Sequence, residues 1–211
     1  PVGVAAALML PLLIACDVFA VRHYIRCFDI QIVMRLLPGA FLGIGIGTVF
    51  FGYFSQHERV LQVGLGLLAF SFVLFQVVRD FVIGSVEQRK SSMVEGFLMG
   101  TLSGFTSTIA HAGGPPVVIY LIRQKLSRTR FVGTTVIFFS ILNLVKVPPY
   151  WILGLFNADI FKLTVILSPL AFLGVRFGIF LNNRFSDFWF NRVIYGILFL
   201  TALQLIFNFN T

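Results

Sequence analysis

Five hydroxyl side chains fall within eight positions of this chain, Thr101, Ser103, Thr106, Ser107 and Thr108. His111 and the run Gly113-Gly114-Pro115-Pro116 follow directly. Glycines followed by two prolines end one helix and start another, because proline is tolerated in a first helical turn and not in an interior. A second half-helix starting at Pro115 would aim its positive end and free N–H groups back at the hydroxyls, which makes an anion site. Gly113 and Gly114 would let a ligand approach the backbone closely. The candidate binding groups here are Ser107, Thr108, His111, Gly113, Gly114 and Pro115. Two plainer readings stand beside this one. Hydroxyls in an apolar helix also back-bond to the preceding turn, and His111 can donate a hydrogen bond, carry a proton or cap the break.

Lys146 is the sharpest single signal. It stands in the middle of an apolar stretch between Asn143 and Pro148-Pro149, where a lysine costs about 3 kcal/mol or more at the centre of a bilayer. It therefore needs a partner. The prolines cannot donate to the carbonyls of Leu144 and Val145, so the helix is expected to open beside the charge. Asn143 lies one turn before Lys146 on the same face. Asp17 occupies nearly the same place in an earlier stretch, so an Asp17–Lys146 salt bridge is one reading. The other is that Lys146 binds an anion while Asp17 or His111 handles a coupling proton.

These residues sit in a chain of 211 residues that is 58% hydrophobic and 11% charged, with a mean hydropathy of +0.94. Soluble chains carry about 25% charge, so this is an integral membrane protein and the bilayer is its solvent. The net charge of +8 comes mostly from Lys and Arg between apolar stretches, where they set orientation; it does not indicate a nucleic-acid partner. Seven apolar stretches run approximately over 1–21, 30–54, 60–83, 93–122, 131–156, 160–182 and 189–209. Most approach the 20 or so residues of a spanning helix, and none alternates like a barrel strand. The fold class is all-α and polytopic.

The fourth stretch is flanked by Arg79, Arg89 and Lys90 on one side and by Arg123, Lys125, Arg128 and Arg130 on the other. Positive charge on both flanks places both in the cytoplasm, so the broken segment enters the membrane and turns back. The chain is also built twice. Asp29-Ile30 recurs as Asp159-Ile160, the run 40–43 as 171–174, and Phe54-Ser55 as Phe185-Ser186, with an offset that drifts only between 130 and 133. The loop charges make the two copies inverted, the arrangement many secondary transporters use; a parallel repeat is the alternative if the fourth stretch crosses once. The first repeat is assigned to 1–91 and the second, with the re-entrant hairpin, to 92–211. By symmetry, about forty residues carrying a matching N-terminal hairpin are expected before Pro1.

Arg22 and Arg35 lie near helix ends, where long side chains snorkel; Arg176 either lines the path or reaches headgroups. Glycines at 39, 43 and 47 suit close helix packing. Cys16 and Cys27 show neither CxxC nor His/Cys clustering, so no disulfide, metal site or cofactor is indicated. There is no Walker A motif, no HExxH and no Ser/His/Asp pattern, and the last stretch has no lysine for a retinal Schiff base. An intramembrane enzyme using His111 with Asp17 is the weaker alternative to transport; a passive anion channel is the closer one.

The segment GFLMGTLSGFTSTIAHAGGPP, the Asp17 helix with its basic link and Asp29, the LLPGAFLG run and the NLVKVPPY run together resemble the TauE/SafE family of sulfite exporters over essentially the whole chain. The resemblance implies export of small sulfur-containing anions, such as sulfite or organosulfonates, across the bacterial cytoplasmic (inner) membrane. Alternating access with the site between the repeats is what the duplication itself points to. Matching the family's glycine-rich hairpin gives Thr108, His111, Gly113, Gly114, Pro115 and Pro116 as substrate-site positions, and its lysine-bearing helix gives Asn143 and Lys146. The departure from the family pattern is the absent first hairpin.

Overall fold

The computed structural model describes residues 2–57, 92–124 and 126–184, with isolated positions at 59, 60, 63, 67, 70 and 200. All of the seventh apolar stretch but residue 200, and most of the third, therefore lie outside the described residues. What is described is helical throughout: α1 (Val2–Tyr24), α2 (Ile30–Gln56), α3 (Met93–Ala110), α4 (Gly114–Ile122), α5 (Arg128–Ile152) and α6 (Ala158–Arg184). Four of them, α1, α2, α5 and α6, contain windows long and apolar enough to cross a membrane.

Short polar residues start these helices. Asp29 Oδ1 accepts from the N–H groups of Gln31 and Ile32 at 3.0 and 3.2 Å, and Ser92 Oγ from Val94 at 3.2 Å. Asn157 Oδ1 accepts from Ile160 at 2.9 Å; each contact satisfies a donor that has no partner inside its own helix. The sequence repeat points to Asp159 as the counterpart of Asp29, but the cap on α6 comes from Asn157, while Asp159 faces Lys162 at 3.7 Å on the surface. Pro38 in α2 and Pro169 in α6 fall on the register of the repeat.

The closest packing is between α2 and α3. A Cβ placed on Gly39, Gly43, Gly100 or Gly104 would run into the backbone of Phe97, Thr101, Leu36 or Ala40 respectively. Both helices thus present small residues at four-residue spacing, and their backbones meet directly. Gly174 and Gly178, the echo of this series in α6, have open space where a Cβ would go. Around the pair, Leu36 and Ala40 of α2, Val117 and Tyr120 of α4 and Phe138 and Leu142 of α5 form the main core. A smaller cluster joins Ala6 and Leu10 of α1, Phe51 of α2 and Tyr150 of α5. Lipid-type surface covers α6, where Val165 and Ile166 are each 70% exposed.

The helices α3 and α4 form the hairpin foreseen from the break. Glu95, in the first turn of α3, is ion-paired with Arg123 at the end of α4, and a Cβ on Gly96 would lie 3.0 Å from the Tyr120 hydroxyl. Both arms therefore start and finish at one end of the bundle. Nine residues make α4 about 14 Å long, roughly half of the ~30 Å hydrocarbon thickness, while the eighteen of α3 run about 27 Å.

Candidate functional site

The break is built from the C-terminus of α3. Its last turn closes with the His111 N–H on the Ser107 carbonyl at 3.0 Å and the Ala112 N–H on the Thr106 carbonyl at 3.3 Å. His111 itself takes the left-handed conformation, φ 53°, the one non-glycine to do so among the described residues. Glycine would adopt that conformation without the ~1–2 kcal/mol cost a side chain brings. The imidazole is retained there because it has two partners: Nε2 lies 3.0 Å from the Ala6 carbonyl of α1, and Nδ1 lies 3.2 Å from Lys146 Nζ of α5. A carbonyl only accepts, so Nε2 carries the hydrogen and Nδ1 presents its lone pair to the ammonium.

Lys146 is fully buried. Its ammonium donates to Ser107 Oγ at 3.0 Å, to the Ser107 carbonyl at 3.3 Å and to His111 Nδ1. All three partners are neutral, and among the described residues no carboxylate is in ion-pair contact with it. The direct Asp17–Lys146 salt bridge considered from sequence is not the arrangement found. Asp17 accepts from Asn143 Nδ2 at 2.7 Å, so the amide one turn earlier on α5 takes the carboxylate and leaves the ammonium turned toward the break. The helix α5 runs from Arg128 to Ile152 through Pro148 and Pro149, so the expected opening goes no further than the carbonyls of Leu144 and Val145, which have no intrahelical donors.

The five hydroxyls divide cleanly. Thr101, Thr106 and Thr108 back-bond to the carbonyls of Phe97, Leu102 and Gly104 at 2.8 to 2.9 Å. Thr108, a site candidate, therefore offers no hydrogen to a ligand, and its carbonyl accepts from the Tyr150 hydroxyl at 2.6 Å. The two serines face the break. Ser103 Oγ donates to the Gly113 carbonyl at 2.8 Å, and Ser107 receives Lys146. The hydroxyl hydrogen of Ser107, 3% exposed, has no acceptor among the described residues.

The second half-helix starts at Gly114, with Pro115 and Pro116 next. Of the four N–H groups a helix start normally leaves open, the prolines remove two. Those of Gly113 and Gly114 remain, and neither has an acceptor among the described residues. Gly113 is wedged against α3, since a Cβ there would lie 2.7 Å from the Ser103 carbonyl oxygen and 2.9 Å from Ser107 Cβ; at Gly114 a Cβ would meet nothing within 4 Å. Ser107, whose hydroxyl receives the Lys146 ammonium, is thus packed against Gly113, and Gly114 follows in the chain. A buried cation and uncommitted N–H or O–H hydrogens are the kinds of group that receive an oxyanion.

Of the residues singled out from sequence, Ser107, His111, Gly113 and Lys146 meet at this one place, Gly114 and Pro115 adjoin it, and Asn143 with Asp17 form a second polar contact one turn away. Ser103, one of the five hydroxyls but not among the binding candidates, and Tyr150, not singled out at all, hold the break in shape. Ser103 stands one turn before Ser107, and Tyr150 one turn after Lys146, so helical spacing was the available signal. Arg176 lies on exposed α6, 6.0 Å from the Phe172 ring centroid.

Compared with known proteins, the chain matches the model of the family described as Sulfite exporter TauE/SafE over residues 1–205. No curated protein and no solved structure gives a match.

Proposed function

The chain belongs to the TauE/SafE sulfite exporter family, a family of membrane transporters, and we propose that it carries small sulfur-containing anions, such as sulfite or organosulfonates, by alternating access. One observation carries the reading: Lys146 is fully buried in a membrane-length helix, and every one of its hydrogen-bond partners is neutral. A buried cation held that way attracts an anion, because the Coulomb energy it lacks from a direct partner is available to a ligand. The Ser107 hydroxyl and the Gly113 and Gly114 N–H groups would receive the oxygens. An anion at this depth is reached from one side at a time when the two repeats, 1–91 and 92–211, rock against each other. Both ends of the α3–α4 hairpin would face the cytoplasm, and the protein would sit in the bacterial inner membrane.

The test is saturable flux of labelled sulfite into proteoliposomes with the Lys146→Met variant beside the parent. Methionine keeps length and apolar bulk but no charge. We expect flux in the parent, acceleration by unlabelled sulfite on the far side, and at least a hundredfold loss in the variant. Flux without counterflow would make the protein a channel, and undiminished flux in Lys146→Met would remove this site from the path.

A further inference from the structure

We infer that the anion crosses together with one proton, held on His111 Nδ1; this rests on the anion-carrier reading above. In the structure the Lys146 ammonium has three hydrogens and three acceptors, Ser107 Oγ, the Ser107 carbonyl and His111 Nδ1. It is saturated, so an anion seated beside it must take over at least one of those bonds. The two Ser107 oxygens keep other uses: the carbonyl already accepts the His111 N–H, and the hydroxyl can turn its hydrogen to the anion. The imidazole has no such recourse. Its Nε2–H is committed to the Ala6 carbonyl, and without the ammonium Nδ1 is a bare lone pair facing a negative ligand in a buried site. A proton at Nδ1 turns that acceptor into a further donor to the anion.

The charges around the imidazole give the stoichiometry. From α5 it faces Lys146 and the Tyr150 ring, 6.2 Å between centroids, whose hydroxyl is committed to Thr108. From α3 it faces Ser107, and from α1 the Ala6 carbonyl, with Asp17 further along that helix on Asn143. The neighbouring elements add Phe51 of α2 to the same cluster and no charged side chain from α4. Among the described residues the empty site therefore holds one positive charge, Lys146, against one negative charge, Asp17. A monovalent anion alone would make the loaded site net negative at the depth where charge is costliest. One added proton restores neutrality, so both the empty and the loaded carrier cross with no net charge.

Proteoliposomes holding the full-length protein decide the matter with methanesulfonate, which stays a monoanion across the working pH range, and with His111→Gln as the variant. Glutamine can donate to the Ala6 carbonyl and accept from Lys146, but it takes no proton. For the parent we expect about one proton per anion by an internal pH dye, about tenfold accumulation from one unit of pH gradient, and no response to a potassium–valinomycin potential. For His111→Gln, whose loaded site stays net negative, we expect flux at least tenfold lower with no counted proton, and the flux that remains should answer to the potassium–valinomycin potential instead. Methanesulfonate or sulfite flux with no proton in the parent overturns this inference and leaves the anion carrier standing. One proton per anion persisting in His111→Gln overturns the assignment to His111. Absence of saturable flux for methanesulfonate, sulfite and taurine alike overturns the carrier reading and this inference with it.

Discussion

Two adjacent glycines at the break should behave oppositely when each is changed to alanine. Gly113 has φ −75° and ψ −6°, a conformation alanine adopts freely, so the cost of Gly113→Ala is purely steric. The new methyl would lie 2.7 Å from the Ser103 carbonyl oxygen, 2.8 Å from Ser103 Oγ and 2.9 Å from Ser107 Cβ. Ordinary contact starts near 3.4 Å, so α3 and the turn must separate by about 0.7 Å. Wedging a well-packed site in this way costs about 1–3 kcal/mol, against which the lower freedom of the unfolded chain returns about 0.4–1 kcal/mol. A net loss of about 1–2 kcal/mol corresponds to a melting point lower by roughly 2–8 °C for a chain of this size. The same displacement stretches the 3.0 Å bond between Ser107 and Lys146 toward its limit, so anion flux should fall about tenfold or more. At Gly114 the methyl meets nothing within 4 Å, and Gly114→Ala should melt with the parent or slightly above it. Thermal melting in detergent, followed by tryptophan fluorescence, reads both variants. Equal melting of Gly113→Ala and the parent, or a comparable loss in Gly114→Ala, would refute the packing argument.

Asp17→Asn keeps an oxygen for the Asn143 amide but removes the charge that balances Lys146; we expect anion affinity to rise about tenfold, roughly 1.4 kcal/mol, in a filter-binding or fluorescence titration, and unchanged affinity would mean Asp17 does not act on the site. Gly104→Ala drives a methyl into the Ala40 backbone, whereas Gly45→Ala on the other face of α2 meets nothing within 4 Å. The first should lower the melting point by several degrees and the second should not, which a paired thermal scan checks.

Much of the site is legible in the sequence because its signals are chemical breaches of an apolar background. Lys146 and the His111–Pro116 run stand out for what they cost in a membrane, and structures keep such residues only with a use. The break is readable from two prolines, and the close packing of α2, though not its partner, from glycines four apart. The partners were not readable. Whether Lys146 meets Asp17 or Ser107 depends on the rotation of α5 and on Asn143 standing between the two charges, and no spacing rule fixes an interhelical contact. Likewise the threonines and serines of 101–108 look alike in sequence. They separate only when α3 is set against α2 and α4: the back-bonding threonines remain on the helix, while Ser103 and Ser107 happen to face Gly113.

The ion pair between Glu95 and Arg123 also bears on how such a protein changes over evolutionary time. An ordinary spanning helix that is gained or lost reverses the sidedness of everything after it, and every later loop must then exchange its charges. A hairpin whose two ends are fastened at one end of the bundle contributes nothing to the parity of crossings. It can be duplicated, lengthened or deleted while the helices beyond it keep their orientation.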